Sequence, residues 1–211
     1  MNKSAQQISL QDNGLIRPAL PANASNPALD ILLSRKSCLP LSEPGPVDEQ
    51  LGLIFDAALC APDHGELRPW EFVFVRGEGR HVLGDILVQA ARLRTPDAPE
   101  LTLQSHRAKA MMAPLIIALG ANIQTHRKVP EIEQMLALGA AAMNILNAVH
   151  ALGYGAFWGT GVDTYDTTVI RALGFRDNVK LGGFIFVGTS EKPNIPKRRP
   201  SPENHAREWH G

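Results

Sequence analysis

The chain has 211 residues, is 44% hydrophobic, and carries 21 basic against 21 acidic side chains. That length predicts one domain with appendages, and the apolar fraction suffices for a sizeable core. The cancelled charge argues against a protein whose main task is coating nucleic acid or an anionic membrane.

Residues 1–25 are polar and proline-containing, and read as a flexible leader without the apolar core of a secretory signal. Asn26-Pro27 supplies an N-cap followed by proline at the first helical position, predicting a short helix to about Ser34. The tetrapeptide SRKS (34–37) follows directly. Two cations there either complement the helix dipole, worth about 0.3–1 kcal/mol, or form part of an anion site. PLSEPGP (40–46) is a turn-rich connector.

From Asp48 to Cys60, Leu51, Ile54, Phe55, Ala58 and Leu59 follow the spacing of a core-facing helical stripe. The loop APDHGELRPW (61–70) places His64 and Arg68 after it. These are an imidazole and a planar guanidinium suited to a heterocycle's polar edge or a phosphate, or else a turn-stabilising histidine and a solvated charge. Phe72 to Val75 reads as a strand, 80–93 and 101–112 as helices, and LIIALGA after Pro114 as a buried strand.

Between Gln134 and Val162 there is no Asp, Glu, Lys or Arg, a stretch long enough to span a bilayer. Asn144, Asn147, His150 and five glycines interrupt it, and no Lys/Arg excess flanks it, so a helix from Glu131 to about Leu152, buried at a core or subunit interface, is expected instead. GAFWGTG then reads as a short strand into a loop, 165–173 as a helix and LGGFIFV (181–187) as a final strand. Helices separate a few short strands without a regular βαβ rhythm, which predicts an α+β class with a small sheet wrapped by helices.

GYGAFWGTG (153–161) is not a dinucleotide fingerprint: its spacing is G-x-G-x-x-x-G, and it leaves a helix to enter a strand. Its glycines allow either a tight turn packed on the sheet or a flat ring lying against Trp158, Gly159 and Thr160 and receiving main-chain hydrogen bonds. Lys197, Arg198 and Arg199 form a short basic run, too small for a nucleic-acid stripe but able to complete a phosphate site begun by SRKS if the tail folds back. Cys38 and Cys60 lack the CxxC spacing of zinc or redox sites, so no metal is expected and a reducing, cytoplasmic setting is the simplest. No hydrolase elbow, P-loop, HExxH or paired-carboxylate spacing is present, so an enzyme of this composition would borrow a cofactor.

Taken together, ALDILLSRKS, AALCAPDHGELRPWEFVFVRGEGR and KVPEIEQMLALGAAAMNILNAVHALGYGAFWGTG resemble segments of the nitroreductase family of FMN flavoproteins, above all its small bacterial NAD(P)H nitroreductases, whose counterparts carry RRS, APDH…PW and GxWRSG. The resemblance spans about residues 27–190. It implies a nitroreductase-like α+β fold with a mainly antiparallel sheet, an intertwined homodimer, and FMN at the dimer interface. The implied organisation is a leader (1–25), an FMN-binding domain (26–190), and a tail (191–211) packing near the flavin phosphate or the partner subunit.

By the same resemblance Arg35, Lys36 and Ser37 hold the ribityl phosphate and nearby flavin atoms. His64 and Arg68 reach the flavin from the partner subunit. Trp158, Gly159 and Thr160 lie beside the isoalloxazine, and Lys197 and Arg199 join the phosphate site. The implied activity is ping-pong transfer of electrons from NADH or NADPH to a nitroaromatic, a quinone or a similar acceptor, with no nucleic acid or membrane partner and no catalytic side chain beyond the cofactor. Lys36 stands for an arginine, Arg68 for a glutamine and Gly159 for an arginine of these relatives. A flavin-free module binding a phosphorylated ligand, and a family member with other flavin chemistry, are the rival readings.

Overall fold

A computed structural model describes residues 26–192 and 198–211, which fall into two compact units: 26–36 with 198–211, and 37–192. In the smaller unit, α1 (Pro27–Ser34) starts where Asn26 Oδ1 accepts a hydrogen bond from the Ala28 N–H at 3.1 Å, with Pro27 pre-set for the first turn. Arg35 is the C-cap, with φ −57° and ψ 134°, so Arg35 and Lys36 lie past the last helical turn. The tail contributes a short 3-10 turn at Pro202–Asn204.

The larger unit is a four-stranded sheet with helices on both faces. Its strands are β1 (Trp70–Arg76), β2 (Leu115–Asn122), β3 (Gly155–Gly159) and β4 (Val179–Gly188), in the order β1-β2-β4-β3, every pairing antiparallel. The central strand β2 is apolar along most of its length because both faces are covered. Leu115, Ile117, Leu119 and Ala121 enter the core with α2 (Asp48–Leu59) and α5 (Glu131–Ala151), whereas Ile116 and Ala118 enter the one with α3 (Gly79–Arg94) and α6 (Thr167–Ala172). Successive residues point to opposite faces, so one continuous apolar run feeds both cores. The remaining helix, α4 (Glu100–Lys109), packs on α3.

In β4 the parity changes. Val179 and Leu181 share a core with Phe184 and Phe186, an odd pair with an even pair. The register against β2 slips between Leu119 and Gly120, which leaves Gly182 as an extra residue. Such a β-bulge shifts the alternation by one. The paired glycines of LGGFIFV are its local cause: Gly183 sits at φ +122°, and a Cβ there would lie 2.6 Å from the Gly159 carbonyl oxygen.

The segments expected from the sequence all appear, with β1 and β4 each longer by two residues at the start and one at the end, the helix expected over 101–112 ending at Lys109, and the sixth helix beginning at Thr167 after a 3-10 turn at Val162–Tyr165. The long uncharged helix is buried on one side only. Leu138, Ala141, Ala142, Ile145 and Val149 are in the core, whereas Ile132 and Leu136 are 63% and 65% exposed. By length and composition α5 would pass for a membrane span, with 44% of its most apolar window buried in the fold. Lys197 and the leader lie outside the described residues.

Candidate active site on the edge of strand β3

β3 is an edge strand, and on its open side it meets the end of SRKS. Ser37 forms a parallel bridge with Ala156, and the Cys38 N–H donates to the Ala156 carbonyl at 2.9 Å. Two stretches almost 120 residues apart in sequence therefore lie side by side. The same connector is pinned at its other end, where Ser42 and Thr189 exchange main-chain hydrogen bonds of 2.9 and 2.8 Å.

This pairing fixes where the rest of the edge points. In an antiparallel ladder, residues alternate between bonding their partner strand and turning their N–H and C=O away from it. Ala156 turns its carbonyl outward to Cys38, so Trp158, two residues on, also turns its N–H and C=O to the open edge. The Trp158 side chain is already engaged: its indole N–H donates to the Gly182 carbonyl at 3.0 Å, the carbonyl of the bulged residue. What Trp158 offers a ligand is therefore its main chain. Gly159 carries no side chain, and a Cβ there would meet the Phe157 ring at 2.9 Å and the Phe186 ring at 3.2 Å, so a larger residue would require those rings to shift.

The other sequence-derived residues divide between places. In the smaller unit, the Arg199 guanidinium donates to the Arg35 carbonyl, joining the basic tail to SRKS. His64 and Arg68 belong to the loop leading into β1, at the opposite edge of the sheet from β3. Three strand spacings separate those edges, roughly 14 Å, so one chain alone does not bring this pair to β3.

Their loop is rigidly built. His64 Nδ1 meets the Glu133 carboxylate, the Arg68 N–H donates to Asp63 Oδ2 at 2.6 Å, and Gln124 Nε2 donates to the Leu67 carbonyl at 2.7 Å. These bonds hold Glu66 and Arg68 at φ 51° and 47°, left-handed conformations that cost about 1–2 kcal/mol each for a residue with a Cβ.

Immediately beyond Thr160 lies a charge cluster that the sequence did not reveal. Asp163 is buried and accepts from Arg94 Nη2 at 2.7 Å, Lys109 Nζ at 2.7 Å and His106 Nδ1 at 3.1 Å. A carboxylate only accepts, so the His106 contact requires the proton on Nδ1. Arg94 also pairs with Asp166, which caps α6 by accepting the Thr168 N–H at 2.8 Å. Its five members come from α3, α4 and the segment between β3 and α6, and no local motif joins them. The cluster ties the glycine loop after β3 to two helices.

Burial pushes the Asp163 carboxyl up, but the hydrogen bond and charge of Lys109, the hydrogen bond of Arg94 and the charge of His106 outweigh it and hold its pKa below the usual value. Asp166 is depressed likewise: burial is outweighed chiefly by Arg94 and the Thr168 N–H. A depressed carboxyl contributes stability that is present above the unfolded value, about 3.9, and lost as pH falls through the lower folded value. Thermal midpoints should thus fall in acid below about pH 4, and Asp163→Asn should flatten part of that fall. An unchanged acid slope in the variant would show that Asp163 is not its source.

A model of the nitroreductase family matches residues 32–189. The chain is 36% identical over 178 residues to an Escherichia coli protein named putative NAD(P)H nitroreductase YdjA, covering 82% of this chain and 96% of that one. The nitroreductase-like family protein from Bacillus cereus shares its fold with a TM-score of 0.73 at 21% identity, over 92% of this chain and 100% of that one. A Desulfovibrio desulfuricans protein described as a putative nitroreductase, solved in complex with FMN, matches with a TM-score of 0.68 at 24% identity, over 89% of this chain and all of its own. A four-stranded antiparallel sheet between helical layers is the nitroreductase-like class of α+β fold. The chain belongs to the nitroreductase family.

Proposed function

We propose that the protein is an FMN-dependent NAD(P)H oxidoreductase that delivers electrons to a nitroaromatic, a quinone or a similar conjugated acceptor. The observation that carries this reading is the open edge of β3, where the Ser37–Ala156 bridge sets the end of SRKS beside outward-turned main-chain groups of Trp158. Such an edge suits a flat heterocycle, because peptide N–H and C=O groups match its alternating acceptors and donors. The bare Gly159 and the engaged Trp158 indole keep side chains off it. The name NAD(P)H nitroreductase, borne by the Escherichia coli relative, agrees with this reading.

On this reading Arg35, Lys36 and Ser37, with Lys197 and Arg199 of the tail, hold the phosphate. Trp158, Gly159 and Thr160 hold the ring, and His64 and Arg68 approach it from the partner subunit. The chemistry that bound FMN supplies is two-electron carriage in two half-reactions, from NADH or NADPH first and to the acceptor second. The chain's own residues bind, orient and tune. Cations at the phosphate give charge-assisted hydrogen bonds, and an Arg68 facing the ring's pyrimidine edge would favour its anionic reduced form.

Arg35→Ala should weaken FMN retention by about 10- to 100-fold, the loss of one hydrogen bond to a charged group. Unchanged affinity in a fluorescence titration of the apoprotein would remove Arg35 from the phosphate site.

Partnering follows from the outer sides of α2 and α5, where Leu53, Leu59, Ile132 and Leu136 are each more than half exposed. Exposed apolar residues in this number suit an isologous homodimer interface. Sedimentation at high dilution should show dimers, or unfolding with dissociation; a well-folded monomer would contradict the dimer. Cys60 is an exposed thiol, which suits a reducing cytoplasm.

A further inference from the structure

Behind the glycine loop, on the sheet face away from α2 and α5, a cavity of about 220 Å³ lies between α3, the end of α4 and β3. Its apolar walls are Phe157, Phe184 and Phe186 from the sheet, faced by Leu83, Leu87 and Met112. The Phe157 and Phe186 rings stand 6.2 Å apart, tilted by 37°. At one end it reaches the charge cluster through Lys109 and Asp163, and at its rim it reaches the exposed Thr160 and Gly161.

We propose that this cavity binds a small flat aromatic molecule carrying a single acceptor group, an aromatic carboxylate above all. Size and lining set the body of the ligand. An apolar cavity of roughly 150 Å³ takes up benzene, so this one has room for a fused bicycle or a substituted single ring, and aromatic walls favour a π-system.

The polar end sets the head group. Both Asp163 oxygens are already engaged, one accepting from Arg94 and the other from Lys109 and His106. The Lys109 ammonium carries three donors, and its side chain keeps 41% of its surface exposed. An incoming acceptor therefore finds a donor there, whereas an incoming donor finds Asp163 already occupied. Arg94 and Lys109 balance Asp163 and Asp166, so an anion at Lys109 is not repelled by a surplus of negative charge.

The cavity is lined in part by Gly159 and Thr160, which are also proposed to hold the flavin ring, but its lining and head-group donor stand whatever the β3 edge binds. An occupant would lie beside the main chain proposed to carry that ring.

The probe is 2-naphthoate, which is bicyclic, anionic and not reducible by a flavin, with naphthalene as its neutral counterpart. Calorimetric titration of the full-length protein as purified should show a saturable site for naphthoate at one per chain. Met112→Trp, which places a larger side chain in the half-buried wall, should abolish that site, and Leu87→Phe serves as a second filling variant if Met112→Trp folds poorly. Lys109→Met should weaken naphthoate by about tenfold or more, the loss of a charge-assisted contact, and leave naphthalene unchanged. No saturable site in the wild type, or the same site undiminished in a folded cavity-filling variant, would overturn the proposal. So would an equal loss of both probes in Lys109→Met, or release of bound flavin on adding naphthoate. Flavin content and nicotinamide turnover, measured on the same samples, report on the oxidoreductase reading separately, since neither enters the binding isotherm.

Discussion

Replacing Asp163 with alanine should destabilise the protein by about 3 kcal/mol or more, within the range seen when one partner of a buried ion pair is deleted. The side chain is 7% exposed and accepts from three cationic or potentially cationic groups. Arg94 keeps Asp166, and Lys109 can turn toward water, which places the loss at the lower end of that range. His106 is buried as well and would lose its only carboxylate partner among the described residues. The damage should also reach the site, because Asp163 stands three residues after Thr160 and moors the glycine loop to α3 and α4. Urea denaturation would read the stability, and flavin retention the loop. Asp163→Asn, which keeps the shape and half the acceptor capacity, should fall between wild type and alanine. A loss below about 0.5 kcal/mol, the size of an ordinary surface substitution, would mean that the cluster is as screened as a surface network.

Gly183→Ala should cost about 2–4 kcal/mol, combining a left-handed backbone with overpacking. At φ +122° a new Cβ would stand 2.6 Å from the Gly159 carbonyl, 2.8 Å from the Trp158 indole nitrogen and 3.0 Å from the Thr160 methyl. All three atoms belong to the proposed ring-binding stretch, and one of them is the nitrogen that anchors Trp158 to Gly182. β3 would have to move away from β4 at its site end. A lowered thermal midpoint together with weakened FMN retention is therefore expected. Gly182→Ala provides the contrast, since the atoms nearest its Cβ are side-chain atoms of Leu138, at 2.8 Å and beyond, and Leu119 Cβ at 3.9 Å, none of them in β3. Equal flavin retention in wild type and Gly183→Ala would show that the β4 bulge does not set the geometry of the edge.

How far the sequence carried depended on whether the signal was local. α1, α2 and α5 could be read from their periodicity and from the Asn26-Pro27 start, because helix signals repeat within a few residues. LIIALGA could be read as a doubly covered strand from its unbroken apolarity. The bulge could not: the two glycines of LGGFIFV are compatible with a plain strand, and only the pairing with Leu119 and Gly120 exposes the extra residue.

The β3 edge shows the same division. SRKS and GAFWGTG each had a bland local reading, and residue types alone did not tie them together. Family resemblance did so at the level of expectation, and the Cys38–Ala156 hydrogen bond does so physically for the Ser37 end. The Asp163 cluster was missed because Arg94, His106, Lys109, Asp163 and Asp166 sit at no recognisable spacing. Two acids close behind an otherwise uncharged stretch of 29 residues were the only hint.

The central claim is that the β3 edge holds a redox-active flavin. Its most direct test is the visible spectrum of the protein purified without added flavin, recorded before and after anaerobic NADH and NADPH. A bound-flavin spectrum that bleaches with at least one of the two nucleotides is expected. A colourless protein that also refuses added FMN would contradict it.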